Sequence, residues 1–164
     1  MKREPSNKNL VFVDRTIFPE YPDWVERLEH PELESTGPPE FDAGKLEQWT
    51  HNDQKIGQIK GDVLLQYLKE HDMLKKCLSL RDLEEIQKKG ITFFQRNFKK
   101  KMVFAWKSAA RNDVGFVHVP CIYIHVSSTM PHTLRLRWYY ICDDWGHGNP
   151  VFLFKSLCGE VQKS

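Results

Sequence analysis

Between Lys88 and Lys107 the chain sets seven cations, Lys88, Lys89, Arg96, Lys99, Lys100, Lys101 and Lys107, among five rings, Phe93, Phe94, Phe98, Phe104 and Trp106. Cations neutralise phosphates or carboxylates, and aromatic faces stack on unpaired bases. No acid interrupts the eight basic residues from Lys88 to Arg111. The pattern suits a surface for an acidic protein and, alternatively, one for nucleic acid. A plainer reading stays open. The phenylalanines would be core, and the lysines a solvated face and helix C-terminus, where the helix dipole favours cations.

A second group lies in the stretch Cys142 to Pro150, where Asp143, Asp144, Trp145, His147 and Asn149 alternate with glycines. Two carboxylates, an imidazole and an amide could serve acid–base catalysis or bind a cation, with His118 or His125 assisting. Asp, Gly, Asn and Pro are equally the ordinary residues of a long hairpin turn. Trp145 either plugs the core or offers a binding surface. His118, Cys121, Cys142 and His147 have side chains that ligate zinc. Their spacing fits no established zinc module, and no metal site is expected. No P-loop, G-x-G-x-x-G or G-x-S-x-G pattern occurs, so phosphate-loop, dinucleotide and nucleophile-elbow chemistry have no support. No cofactor is expected.

Charge separates these groups along the chain. The 164 residues carry 24 Lys plus Arg against 22 Asp plus Glu. Eight acids and one base, Arg27, fall between Glu20 and Asp42, opposite in sign to the Lys88–Arg111 stretch. Such asymmetry speaks to partners rather than to fold. A near-balanced total favours an acidic protein surface over nucleic acid as partner. No apolar run is long enough to cross a bilayer, and no signal-type stretch follows Met1-Lys2-Arg3. The four cysteines, at 77, 121, 142 and 158, form no C-x-x-C pair. They read as reduced thiols of a cytoplasmic protein.

The elements that must position these residues follow from hydrophobic period. Six of the nine prolines lie before position 40, and residues 1–60 read as an extended, Pro-rich acidic arm. It holds a short strand at Leu10 to Val13 and a helical turn at Pro22 to Glu29. Phe12, Phe18, Tyr21 and Trp24 would anchor it to the body. Asp62 is the expected N-cap of a first helix bearing Leu64, Tyr67, Leu68, His71 and Leu74 at helical spacing. Ser79 with Asp82 forms a capping-box-like start to a second, whose stripe is Leu83, Ile86, Gly90, Phe93 or Phe94, and Asn97 or Phe98. Gly90 marks a kink, a close contact or an early end of that helix.

Period two then predicts strands at Met102–Trp106, Phe116–Val126, Thr133–Ile141 and Val151–Phe154. Pro120 implies a bulge or an edge. With a bulge, Val117, Val119, Ile122, Ile124 and Val126 would point inward. His118, Tyr123 and His125 would point outward beside Arg135, Arg137 and Tyr139. Trp106 and Trp138 are expected in the core on the helix side. Residues 61–164 thus read as an α+β domain, two helices on one face of a four-stranded antiparallel meander. The function expected of it is non-catalytic recognition of another macromolecule. The basic and aromatic stretch, the outward sheet face and Trp145 would form the binding surface. Nucleic-acid binding by Lys88–Lys107 and an enzyme centred on Asp143–Asn149 are the alternatives.

Overall fold

The computed structural model describes residues 7–155; Cys158 lies outside the described residues. The fold is α+β. In chain order the elements are β1 (Leu10–Phe12), β2 (Val25–Leu28), β3 (Glu40–Asp42), β4 (Glu47–Trp49), α1 (Asn52–Ile56) and β5 (Ile59–Lys60). They continue with α2 (Gly61–Glu70), α3 (Leu80–Lys89), α4 (Ile91–Phe98), β6 (Val103–Phe104), β7 (Ala110–Asn112) and β8 (Val117–His125). The last are β9 (Thr133–Tyr140), β10 (Asp144–Trp145) and β11 (Val151–Leu153).

All strand pairing is antiparallel. The main sheet joins β2 to β7, β7 and β6 to one edge of β8, and β9 to the other edge of β8. β1 pairs with β3, β4 with β11, and β5 with β10. Strands from the first 60 residues therefore pair with strands from the rest of the chain. In place of the expected two helices on a four-stranded meander, the described residues form four helices and a five-stranded sheet, with three further strand pairs. Of the four expected anchors of the arm, Tyr21 and Trp24 pack against Trp138 and the other two do not. Phe12 and Phe18 are 60% and 64% exposed, whereas Val11 and Val13 are buried, because the pleat of β1 turns alternate residues inward. The segment expected to be helical after Pro22 makes a turn, Val25 N–H donating to Pro22 O. It then runs as β2, where Val25 and Leu28 pair with β7.

Local signals explain the helix boundaries. Asp82 accepts from the Ser79 N–H (2.8 Å) at the start of α3. Gly90, at φ +92°, ends α3 and opens α4. Nothing crowds it, so its role is the turn and not a close contact. Lys60 rather than Asp62 is the N-cap of α2; Asp62 lies in the first turn, its carboxylate accepting from Val63 N–H.

Pro120 does not bulge β8. The β8–β9 register runs unbroken from His118↔Tyr140 to His125↔Thr133. Pro120 O accepts from Ala105 N–H (2.9 Å). In an antiparallel ladder one residue's N–H and C=O face the same neighbour. The missing N–H therefore points to the edge where β6 leaves the ladder for a 3-10 turn at Trp106–Ser108 before resuming as β7. With no bulge, alternation is strict. Val119 and Cys121 face one core with Leu64, Leu68, Phe104, Trp106 and Trp145. Ile122 faces the other, with Leu83, Ile86, Phe94 and Phe98. Val119 and Ile122 are thus on opposite faces, and both faces are covered. Trp106 is buried away from α3 and α4, because the strand ends before it. Trp138 is half-buried, with Trp24 packed against it edge-on.

At Gly61 the Trp145 ring and the Ile141 carbonyl occupy the space of a Cβ. Gly61→Ala is expected to cost at least about 1–3 kcal/mol by overpacking. Gly148→Ala, at a glycine with open space around it, should stay within about 0.5 kcal/mol. Chemical denaturation of the two variants checks the difference.

Candidate functional site

The residues singled out above do not converge. Lys88 and Lys89 are exposed at the end of α3, Lys88 pairing with Glu85 (2.9 Å). Arg96 lies over Phe93 and donates to Asn9 Oδ1 and Lys8 O. Lys99 and Lys100 are exposed, and Lys101 donates to Gln48 Oε1. Arg135 and Arg137 are exposed on the Cys121 side of the sheet, Arg137 over the half-buried Tyr139 ring. α3 and α4 lie on the other side. Trp145 is 1% exposed and packs on Phe104 and Trp106; of its two readings the structure takes the core plug.

In the Asp143–Asn149 loop the polar groups are engaged apart from one another or exposed. Asp144 pairs with Lys60 (2.9 Å). The carbonyls of Gly146 and Asn149 are held by the buried Gln54 amide. Asp143 and His147 are exposed. His118 and Cys121 fall on opposite faces of β8, so they cannot share a metal. No group of three or more metal-ligating side chains is gathered among the described residues. Cys77 and Cys121 are buried and Cys142 is exposed, and among the described residues no two are joined; burial pushes the Cys77 thiol up to about 12.

A different set of cations does converge. A pocket of about 520 Å³ opens between residues 37–46, the Lys75-Lys76 pair and the end of the described chain. Its apolar wall is Pro38, Phe41, Leu46 and Phe154, and its rim carries Lys45, Lys75, Lys76 and Lys155. Phe154 meets Phe41 edge-on at 5.1 Å, and its N–H donates to Lys76 O (2.8 Å). Of the two carboxylates in the lining, Asp42 is engaged by the Asn7 amide and Gly44 N–H, and Glu40 is exposed. The 3-10 turn Ala43–Lys45 packs on α4, so Lys45 joins the pocket rim to the basic end of that helix. Lys75-Lys76 is a dibasic pair visible in the sequence. Lys45 and Lys155 stand alone there, and only folding brings them to it.

Behind the pocket lies a buried polar cluster. Arg15 donates to Pro38 O through Nε (3.0 Å) and Nη2 (2.7 Å) and pairs with the fully buried Asp82 (2.8 Å). Its guanidinium would lie 2.6 Å from a Cβ on Gly37, whose φ is +124°, so glycine is required at this wall on both counts. Lys107 is 1% exposed, its Nζ without a hydrogen-bond partner among the described residues and 5.6 Å from the Phe154 ring centre. Burial holds its pKa below the ordinary lysine value, against the pull of Asp82. Glu34, also buried, accepts from Tyr21 Oη and from Ser108 Oγ (3.2 Å), and Ser108 Oγ accepts from Leu80 N–H (2.7 Å). Burial raises the Glu34 pKa above the ordinary carboxylate value, more than its hydrogen bonds lower it.

The chain matches no protein-family model, and no curated protein or solved structure gives a significant match to it.

Glu34 sets a pH dependence of known sign. A carboxyl whose pKa is higher folded than unfolded binds more protons in the native state between the two values. Its contribution is complete below the ordinary pKa of about 4.3 and is lost as pH rises through the folded value. The melting temperature should therefore carry a component that falls as pH rises from the ordinary value to the folded one. Glu34→Gln should remove it, which melting curves of both proteins across the acidic-to-neutral range would show.

Proposed function

We propose that this protein is a non-catalytic binding module for an acidic segment of another protein, taken at the lysine-rimmed pocket. One observation carries the reading. Four lysines from three separate chain segments, Lys45, Lys75-Lys76 and Lys155, stand around an apolar wall of Pro38, Phe41, Leu46 and Phe154. An apolar side chain in the pocket would bury area, at about 25 cal/mol per Å². Carboxylates flanking it would meet the rim. Lys99, Lys100 and Lys101, reached through Lys45 and α4, would add long-range attraction that raises the association rate more than the affinity. Action inside the cell, where thiols stay reduced, is part of this proposal.

The aromatic rings of the Lys88–Lys107 stretch argue for this partner over nucleic acid. Phe93, Phe94, Phe98, Phe104 and Trp106 are all buried, which leaves no stacking platform for bases beside the lysines.

The probe is a short fluorescein-labelled peptide with a Phe-Leu pair flanked by glutamates, followed by anisotropy. Saturable binding is expected, weakened at least about tenfold, or 1.4 kcal/mol, by Lys75→Glu/Lys76→Glu and less by Lys99→Glu/Lys100→Glu. Melting curves should be unchanged, since these charges are on the surface. Unchanged affinity in the Lys75→Glu/Lys76→Glu protein would overturn the assignment to the pocket. Tight capture of labelled oligothymidylate with a steep salt slope, and none of the peptide, would establish nucleic acid as the partner instead.

A further inference from the structure

The geometry points to a second docking surface, independent of the pocket. It is the outer edge of β9, to which we propose that an extended peptide with alternating basic and acidic residues adds as a sixth strand of the main sheet. Among the described residues β9 pairs only with β8. The Ile141 N–H donates to Val117 O, which fixes the parity of the ladder. Odd-numbered residues of β9 bond to β8, and Leu134, Leu136, Trp138 and Tyr140 turn their backbone groups outward. Gln87 Nε2 reaches Leu134 O (3.5 Å), and Tyr140 O accepts from Asp143 N–H. The N–H and C=O groups of Leu136 and Trp138 have no partner among the described residues. They form an open template two residues long on one strand period.

Side chains on the two faces beside this edge differ in charge. On the Leu136 and Trp138 face a cleft of about 450 Å³ is walled by Tyr21 and Trp138 and rimmed by Glu20, Asp23 and Glu84. Neither Glu20 nor Asp23 has an ion-pair partner within 4 Å among the described residues. The aromatic walls are held in place. Tyr21 is tied through its hydroxyl to the buried Glu34 and lies 5.9 Å from Trp138, and Trp24 braces Trp138 edge-on at 5.2 Å. Aromatic faces below carboxylates favour a cation, and a planar guanidinium both stacks on rings and pairs with carboxylates. On the opposite face the exposed side chains beside the edge are Arg135 and Arg137, which call for carboxylates. An added strand presents alternate residues to alternate faces. The occupant that fits is therefore an extended segment with arginine at every second position and glutamate between. Main-chain bonds would supply affinity, and alternate side chains specificity, as in other strand-addition complexes.

The test uses a short fluorescein-labelled peptide of alternating Arg and Glu, titrated by anisotropy into the full chain. Two controls share its composition: one with alternate backbone amides N-methylated, the other with its arginines and glutamates in separate blocks. Saturable binding is expected, weakened at least about tenfold by either change to the peptide. Glu20→Lys/Asp23→Lys and Arg137→Glu on the protein should weaken it comparably, with unchanged melting curves. Lys75→Glu/Lys76→Glu should leave it unaltered, which separates this surface from the pocket. Equal binding of the N-methylated peptide would overturn strand addition. Equal binding of the block peptide, insensitivity to Glu20→Lys/Asp23→Lys, or no saturable binding would overturn the proposal as a whole.

Discussion

The buried carboxylate of Asp82 is the point at which the separate parts of this molecule are joined. It lies fully buried in the first turn of α3, accepts from the backbone at Ser79, and pairs with Arg15 from the N-terminal segment. Arg15 in turn holds Pro38 O, so one ion pair links helix start, N-terminal strand and pocket wall. A buried charge is tolerated only when it is paired and hydrogen-bonded. The converse is that removing either partner strands the other, at a cost of about 3–5 kcal/mol. Position is what this pair contributes most clearly: the 37–46 segment reaches the surface beside Lys75 and Lys76 because Arg15 reaches Asp82.

Lys107 is the counterpart of Asp82 within the same cluster. Its Nζ lies over the Phe154 ring, in a region that also holds Asp82, Glu34 and Arg15. The 3-10 turn that interrupts β6 and β7 is what carries it inward, and Ser108 from that turn bonds Glu34 and the Leu80 N–H. The excursion opposite Pro120 thus has a structural use. The chain leaves the ladder where Pro120 of β8 offers no donor, and two of the residues released, Lys107 and Ser108, add polar groups to the interior.

Local physics made several of these elements readable from the sequence. The Ser79–Asp82 cap, the break at Gly90, the alternation of β9 and the buried Leu83 and Ile86 of α3 are all decided by residues within a few positions of one another, whereas the inward set read for β8 assumed a bulge at Pro120 that the unbroken ladder does not have. Other features depend on distant pairing. The segment after Pro22 has apolar residues enough for a turn of helix, and β7 recruits it as a strand. Val151–Leu153 has strand character, but nothing local says that it pairs with β4 rather than with the main sheet. The candidate site was legible only in part. A run of cations announces a basic region, yet Lys107 within that run is buried. The lysines that surround a pocket come from positions 45, 75, 76 and 155. Charge counts along a chain do not distinguish a cation in the core from one on a rim.

On this account the acidic partner enters the pocket against the wall that Phe41 and Phe154 form together, and the basic helix end assists from outside. Backbone amide chemical-shift mapping with the Glu-flanked Phe-Leu peptide tests this most directly, because it locates the ligand residue by residue. The account predicts shifts that saturate together at Phe41, Leu46, Lys75, Lys76, Phe154 and Lys155, fading toward Lys99–Lys101. Saturating shifts confined to Arg135–Trp138 or to Lys88–Arg96, with the pocket residues unmoved, would contradict it.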